Sequence, residues 1–227
     1  MEQSKAMTSL DRAPLRARRQ RLSAEAQARA SAACRQHLQT LTGWAGFRLV
    51  GAYAAFDGEL DPSGFQAPGQ RWFLPVLSGN SLLFRPDEGA SLPNKFGIME
   101  PITAQASHAI IDSEADTPGD ADLDVWTEHS GKQPSAPGAI SPSSLDLLLV
   151  PGVAFGLNGH RLGMGAGYYD RALSFMLKPH SDPKPLLVGI CHDFQLFQSV
   201  PPQPWDVPVH FVCTPTALYP CSDFVDG

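Results

Sequence analysis

The chain has 227 residues, of which 43% are apolar, and this length suits one sizeable α/β domain with a real core. A formal net charge of −6 argues against nucleic acid as the main partner, so an anionic substrate would need a local basic cluster. Four cysteines without CxxC spacing argue against a zinc site or a disulfide framework and favour reduced thiols. No apolar run approaches the ~18 residues of a membrane span, and no signal-peptide core is present. We therefore expect a cytoplasmic protein with no membrane partner.

Residues 9–41 predict two helices. Leu15 and Leu22 recur among arginines, and Ser23 is a typical N-cap for a second, alanine-rich helix that ends near Gly43. The basic start is also compatible with a transit peptide, but the periodic pattern continues into the second helix, which favours a folded N-terminus.

Short apolar runs then predict strands over residues 48–53, 71–76 and 81–85. We expect Pro75 to end the second of these strands. Residues 57–62 read as a polar loop that leads towards a helix, and residues 96–101 read as an ordered loop.

Residues 103–143 differ in composition from the rest of the chain. They are rich in Ser, Ala, Pro, Gly and Asp and have weak periodicity, which predicts a mobile surface insertion in a single domain that spans residues 1–227. His108, Trp126 and His129 lie in this stretch, and the composition gives little reason to assign them a function.

The C-terminal part alternates strands with helical segments. Residues 145–150 are nearly all apolar, as in a central parallel strand. A glycine-punctuated turn follows over residues 155–167, a helix begins at Tyr168, and further strands are expected at 186–190 and 209–214. This order predicts an open, mostly parallel α/β sheet flanked by helices, a three-layer α/β/α fold.

The turn between strand and helix is the strongest local signal for function. Gly159, Gly163, Gly165 and Gly167 fall within nine residues. Glycines let a backbone approach a ligand closely, a helix N-terminus attracts anions, and Arg161 can add a bidentate contact to phosphate. The spacing matches neither a P-loop nor a dinucleotide fingerprint. The glycines alone leave phosphate binding and a tight structural turn equally open, and the flanking strand, arginine and helix favour phosphate.

Two carboxylates near this turn are candidate magnesium ligands. Asp170 lies in the first turn of the predicted helix, where it either complements the helix dipole or binds Mg²⁺ beside phosphates. Asp206 lies just before the last strand, so its place at the ligand crevice is less secure than that of a residue after a strand.

Two arginines, one glutamate and two tyrosines provide further candidates for ligand binding. Five arginines cluster over residues 12–21, usually the sign of a solvated helix face, but Arg12 and Arg16 share one face and could clamp a triphosphate. Glu59 follows the first strand and could accept hydrogen bonds from a heterocycle. Tyr168 and Tyr169 could stack on a flat ring, although helix packing accounts for at least one of them.

Two stretches of the sequence carry a family resemblance. Residues 150–155 (VPGVAF) and 159–171 (GHRLGMGAGYYDR) strongly resemble 5-formyltetrahydrofolate cyclo-ligase, also called 5,10-methenyltetrahydrofolate synthetase. Weaker matches in the same order include Tyr53 with Glu59, residues 73–75, 96–101 and 189–195, and Asp206. The resemblance covers nearly everything except residues 103–143.

The resemblance implies an enzyme that uses MgATP to close 5-formyltetrahydrofolate to 5,10-methenyltetrahydrofolate, with release of ADP and phosphate. Arg161 and Tyr168 are the implied catalytic residues, Tyr53 and Glu59 the folate-binding ones, and Asp170 and Asp206 the magnesium ligands. Arg12 or Arg16 matches an N-terminal phosphate-binding arginine. The implied ATP loop comprises Gly159, Arg161, Leu162, Gly163, Met164, Gly165, Ala166, Gly167, Tyr168 and Tyr169. We expect small-molecule partners only and a monomer or weak homodimer.

Several positions depart from the family pattern. Met164 and Ala166 stand inside the loop, which removes a possible lysine contact. Gly156 stands where an aspartate is common, and His210 where an acid is common. Two other functions therefore stay open: a sugar-phosphate- or CoA-handling enzyme on a related scaffold, and a non-catalytic folate- or nucleotide-binding protein.

Overall fold

A computed structural model of the protein describes residues 10–102, 138–178 and 184–222. Its main element is a seven-stranded sheet with the spatial order β12-β11-β9-β6-β1-β2-β3. These strands are β1 (Leu49–Gly51), β2 (Arg71–Ser78), β3 (Ser81–Pro86), β6 (Leu147–Pro151), β9 (Leu186–Ile190), β11 (Phe211–Cys213) and β12 (Leu218–Pro220).

The five inner strands of this sheet run parallel, and the edge strands β3 and β12 are antiparallel to their neighbours. The central strand β6 is apolar because both of its faces are covered. Leu147 and Leu149 pack into a core with the helix α2 (Ala24–Leu38), while Leu148 and Val150 pack into a second core with the helix α3 (Tyr168–Leu173). The predicted α/β fold with a mostly parallel sheet flanked by helices is therefore confirmed.

Three α-helices complete the described fold, and α2 and α3 pack on opposite faces of the sheet. They are α1 (Arg12–Gln20), α2 (Ala24–Leu38) and α3 (Tyr168–Leu173). Ser23 caps α2 by accepting a hydrogen bond from the Ala26 N–H at 3.2 Å, as the sequence predicts. Asp11 caps α1 in the same way through the N–H of Ala13, at 3.1 Å.

Two short sheets lie outside the main one. The hairpin of β4 (Ser91–Pro93) and β5 (Met99–Pro101) occupies the region read from sequence as a loop. The strands β7 (Ala154–Gly156), β8 (Arg161–Leu162) and β10 (Leu196–Phe197) form a three-stranded sheet in the order β10-β7-β8. The glycine-rich region is thus a small hairpin followed by a turn, rather than one long turn.

Two local predictions are wrong for identifiable reasons. Pro75 does not end β2. Its partner on β3 is Phe84, whose N–H and C=O both form hydrogen bonds with Ile140 instead. The missing N–H of Pro75 therefore leaves no acceptor on Phe84 unpaired. No helix follows the loop at 57–62, since turns continue through a stretch punctuated by Pro62, Gly64 and Pro68. The buried ring of Phe65 anchors those turns instead.

The predicted insertion at 103–143 is described only at its end. Residues 103–137 lie outside the described residues, so the prediction of a mobile insertion stays a prediction. Within the described part, Ile140 bridges to Phe84 with backbone hydrogen bonds of 2.9 and 2.7 Å, and a short helical turn follows at Pro142–Ser144. All four cysteines lie in the described ranges and are buried, and none of them forms a disulfide. In the described ranges, no helix is both long and apolar enough to cross a membrane.

Candidate active site

The turn between β8 and α3 presents its backbone to open space. A side chain added at Gly163 or Gly165 would meet no atom within 4 Å, and Gly165 has a φ of +99°, a conformation that L side chains rarely adopt. Gly159 differs, because its N–H and C=O are both used inside the fold, by Gly156 and Val209. The open part of the turn is therefore residues 163–166, where a ligand can approach the backbone, while a Cβ at Gly167 would lie 2.9 Å from Nη1 of Arg171.

Arg161 is held at the base of this turn. It is buried, its Nη1 donates to the carbonyl of Val207 at 2.7 Å, and its Nη2 donates to Oδ1 of Asp170 at 2.5 Å. The Val207 N–H also points at that carboxylate oxygen, at 3.4 Å. Arg161, Asp170 and the chain after Asp206 thus form one connected unit.

The two candidate arginines of α1 have different contacts. Arg12 donates from Nε to the carbonyl of Gly163 at 2.8 Å, so it lies against the open turn. Arg16 instead makes a bidentate pair with Asp57, at 2.7 and 3.1 Å. The geometry brings Arg12, and not Arg16, to the glycine turn.

Glu59 lies in the loop after β1, beside the buried Arg19 of α1. Its side chain is 13% exposed, and Oε2 accepts the N–H of Phe56 at 3.2 Å. Burial raises the pKa of this carboxyl to about 7, while Arg19 opposes that rise. The carboxyl is therefore poised to change charge near neutral pH.

The three candidate tyrosines have separate environments. Tyr53 is buried and donates its hydroxyl to the carbonyl of Leu60 at 2.7 Å, which places that hydroxyl in a structural bond. Tyr168 makes an edge contact with Phe96, with ring centroids 6.0 Å apart. The hydroxyl of Tyr169 is buried, and among the described residues it has no hydrogen-bond partner.

The Tyr169 hydroxyl is influenced by the charges of both Glu59 and Arg161. Burial raises the pKa of this hydroxyl, the Glu59 carboxylate raises it further, and Arg161 lowers it. Its unpaired oxygen therefore lies within electrostatic reach of both Glu59 and Arg161. A buried hydroxyl without a partner is costly, so this oxygen is a natural contact for a bound ligand.

Asp206 closes a local turn before β11. Its Oδ2 accepts the N–H of Gln203 at 2.9 Å. Within the described ranges, no group of three or more His, Cys, Asp or Glu side chains is arranged to hold a metal. A magnesium ion here would need one or two carboxylates plus ligands from a bound phosphate.

Of the remaining departures from the family pattern, Gly156 and His210 have structural explanations and Met164 has none. A side chain at Gly156 would lie 2.5 Å from the backbone nitrogen of Val200, so glycine is required by packing. His210 is buried, and its Nδ1 accepts the N–H of Leu187 at 3.0 Å. Met164 is exposed in the open turn, and the structure gives no specific reason for methionine there.

Sequence reasoning missed two groups of site residues. Arg19 is buried beside Glu59, although the basic run suggested a solvated helix face, and Asp57 pairs with it. Large apolar side chains also stay exposed next to site residues. They are Phe56, Phe96 and Trp205, of which Trp205 is 63% exposed. Their isolation in polar loops was the available signal, since exposed aromatics often mark binding surfaces.

Comparison with known proteins bears directly on this site. The family model described as the 5-formyltetrahydrofolate cyclo-ligase family matches residues 4–215. The chain belongs to the 5-formyltetrahydrofolate cyclo-ligase family. The predicted family is therefore confirmed, and every candidate site residue lies inside the matched range.

Relatives and solved structures agree with the cyclo-ligase assignment. The chain is 32% identical over 179 residues to 5-formyltetrahydrofolate cyclo-ligase of Escherichia coli K12, covering 75% of this chain and 79% of that protein. It is 28% identical to the Haemophilus influenzae enzyme of the same name, with 87% and 92% covered. An NMR structure of Aquifex aeolicus 5,10-methenyltetrahydrofolate synthetase matches with a TM-score of 0.66 and 27% identity, covering 93% of this chain and 91% of that one.

Proposed function

We propose that this chain catalyses the ATP- and Mg²⁺-dependent cyclisation of 5-formyltetrahydrofolate to 5,10-methenyltetrahydrofolate, with release of ADP and phosphate. Family membership supports the reaction class. The observation that carries the proposal is the Tyr169 hydroxyl, which is buried, has no hydrogen-bond partner among the described residues and has a pKa influenced by the charges of both Glu59 and Arg161. We propose that a folate held by Glu59 would meet a phosphate held by Arg161 beside this hydroxyl.

The triphosphate of ATP would lie along the open backbone of residues 163–166. Arg12 and Arg161 flank this stretch and supply positive charge in a protein of net charge −6. The N–H groups of such a turn suit phosphate oxygens. The helix α3 has only six residues, so the turn and the two arginines carry more of this argument than a helix dipole does.

The carboxylates near the turn fit a magnesium ion bound with ATP. In Asp170 and Asp206, one oxygen accepts a hydrogen bond from described residues, and the other has no such bond there. Mg²⁺ in nucleotide sites commonly takes one or two carboxylates and completes its shell with phosphate and water. Bound there, it would neutralise charge on the β- and γ-phosphates.

The pterin ring would be held by Glu59, in the loop after β1. Glu59 as a carboxylate accepts hydrogen bonds, and a pterin offers N–H and amino donors. Phe56 and Phe96 provide exposed apolar surface beside it. Tyr53 would act by packing, because its hydroxyl is already bonded to Leu60.

The chemistry then needs alignment and charge neutralisation. The formyl oxygen attacks the γ-phosphorus and ADP leaves, which gives an N5-iminium phosphate. N10 attacks the formyl carbon, phosphate departs with the formyl oxygen, and N10 loses its proton. Arg161 would balance charge that builds on the transferred phosphoryl group, and Tyr168 and Tyr169 would orient the formyl group against it.

A spectrophotometric assay tests this proposal. The purified chain with 5-formyltetrahydrofolate, ATP and Mg²⁺ should show the rise in absorbance of the methenyl product, with one ADP formed per product. Turnover of a sugar phosphate or a CoA ester, without folate and without ADP release, would favour the related-scaffold enzyme. Folate binding with neither product would favour the non-catalytic binder. A cytoplasmic location and a monomeric or weakly dimeric state belong to the same proposal, and sedimentation of the purified chain tests the latter.

A further inference from the structure

Arg19, at the end of α1, is buried at the carboxyl edge of the sheet. Its side chain is 1% exposed. Nε donates to the carbonyl of Asp57 at 2.7 Å, Nη2 donates to Oδ2 of Asp57 at 2.7 Å, and Nη1 donates to the carbonyl of Gly152 at 3.2 Å. An arginine with its guanidinium committed in three directions has one orientation, so it can fix what it touches.

The loop that carries Glu59 is built around this arginine. Asp57 has a φ of +56°, an uncommon conformation for a residue other than glycine, and it accepts hydrogen bonds from Arg16 and Gln20 as well as Arg19. At the next position, an added Cβ on Gly58 would lie 2.9 Å from the carbonyl carbon of Arg19. The loop therefore lies directly against α1, and only glycine fits at the contact.

Glu59 depends on the same guanidinium. Nη2 of Arg19 lies 3.5 Å from Oε1 of Glu59, and both side chains are largely removed from water. A buried carboxylate is costly unless a cation compensates it. Arg16 and Arg19 together balance Asp57 and Glu59, so the cluster is neutral when all four are charged.

The groups that face Glu59 come from the loop after β1, from α3 and from α1. Tyr53 follows β1 and Tyr169 belongs to α3, and the Glu59 carboxylate raises the pKa of both hydroxyls. Asp57 in its own loop opposes the charge of Glu59, while Arg19 and Arg16 from α1 favour it. Arg19 is the cation nearest to Glu59 in this set.

We infer that Arg19 is a positioning residue that holds the Glu59 carboxylate, charged and correctly oriented, towards the reduced folate. This inference rests on the proposed function for the role of Glu59. Since Arg12 of the same helix contacts Gly163, α1 also ties the placement of Glu59 to the nucleotide turn.

The pH dependence of kcat/KM for 5-formyltetrahydrofolate tests this role. Arg19→Gln should move the acidic limb of that profile upwards by about one to three pH units, because Glu59 loses its compensating cation. Arg19→Lys keeps the charge, so the acidic limb of its profile should lie close to that of wild type. Arg18→Gln is the matched control, since Arg18 is the neighbouring arginine on α1 and lies over the ring of Phe194 at 4.1 Å. That control should leave the limb in place.

A second variant gives the opposite sign and guards against a folding defect. Asp57→Asn removes the carboxylate that opposes the charge of Glu59, so a folded Asp57→Asn protein should move the limb downwards. In a Glu59→Gln background, Arg19→Gln should cause little further loss of kcat/KM. Equal losses in both backgrounds, or limb shifts of the same sign in Arg19→Gln and Asp57→Asn, would overturn the inference.

A measurement without turnover separates this inference from the proposed function. The carboxyl ¹³C signal of Glu59, assigned by its absence in Glu59→Gln, can be titrated by NMR in wild type, Arg19→Gln and Arg19→Lys. If no methenyl product forms but the midpoint rises in Arg19→Gln and stays near wild type in Arg19→Lys, the electrostatic role of Arg19 stands and the reaction assignment fails. A midpoint that is unchanged in Arg19→Gln, or that moves as far in Arg19→Lys, would overturn the electrostatic role.

Discussion

Nη2 of Arg161 lies 2.5 Å from Oδ1 of Asp170, nine residues further along the chain, and Nη1 holds the carbonyl of Val207. One guanidinium thus joins the β7–β8 hairpin, the start of α3 and the segment before β11. This bond orients a carboxylate that we propose as a magnesium ligand and leaves other N–H groups of Arg161 for a phosphate. The two residues therefore act as a unit, and variants at either position should be interpreted together.

Replacing Arg161 should largely abolish turnover. Arg161→Ala removes a charged donor from the phosphate site and leaves Asp170 without its partner, so kcat for methenyl formation should fall by about 10²-fold or more. Arg161→Lys should recover only part of the loss, because an ammonium cannot hold Val207 and Asp170 in the same planar arrangement. Near-normal rates in Arg161→Ala would contradict the assignment. A melting temperature that stays close to wild type would exclude unfolding as the cause.

The carboxylates should govern the magnesium requirement. Asp170→Asn and Asp206→Asn each remove one candidate ligand charge, so the Mg²⁺ concentration for half-maximal rate should rise by about tenfold or more for Asp170→Asn. The rise should be smaller for Asp206→Asn, since Asp206 also closes a turn with Gln203. Asp87→Asn, an exposed residue after β3, should leave the requirement unchanged. The rate is measured against Mg²⁺ at a fixed, saturating ATP concentration.

The central sheet was predictable because buried parallel strands have a simple signature. Residues 145–150 and 186–190 are nearly all apolar, and β6 and β9 form there. The β7–β8 hairpin was not predictable, since its strands have only three and two residues and β7 also pairs with the distant strand β10. The continuation of β2 past Pro75 was not predictable for a similar reason. Only the hydrogen bonds between Phe84 and Ile140 show that Phe84 needs no N–H donor from Pro75.

The candidate site was partly predictable, through the glycine turn and the family motif. Sequence spacing placed Arg12 and Arg16 on one face, but it could not separate their roles, because Asp57 is 41 residues from Arg16 and pairs with it only in the fold. Arg19 was missed for the same reason. A basic run on a helix usually faces solvent, and nothing local reveals that the backbone of residues 57–58 lies against it.

The two arginines of α1 should therefore separate experimentally. Arg12→Ala removes a charge beside the open turn and should raise KM for ATP by about tenfold, with a smaller effect on KM for folate. Arg16→Ala should leave KM for ATP within about threefold of wild type, because its side chain pairs with Asp57. Arg21→Ala, just after α1, serves as a charge-matched control. A larger effect on ATP from Arg16→Ala than from Arg12→Ala would reverse the assignment.

Glu59 should make both activity and stability depend on pH. Its carboxylate is the form that accepts hydrogen bonds from a pterin, so kcat/KM for folate should rise with pH until about 7, the pKa set by burial, and level off above it. Stability should change in the opposite direction. Folding raises this pKa from 4.5 to about 7, so the folded chain binds the proton more tightly than the unfolded chain does. The contribution of Glu59 to the free energy of unfolding is therefore full below pH 4.5 and is lost as pH rises through 7.

Glu59→Gln separates these two effects. The variant should have a lower but measurable folate turnover that no longer rises with pH near 7, since the amide cannot replace the charge. It should nevertheless be more stable than wild type at pH 8, by about 1–3 kcal/mol, and close to wild type at pH 4.5, because a neutral side chain avoids the cost of burying a carboxylate. Urea unfolding at the two pH values measures the difference, with the exposed Glu88→Gln as the control. A Glu59→Gln protein that is less stable than wild type at pH 8 would mean that the pairing with Arg19 outweighs the cost of burial.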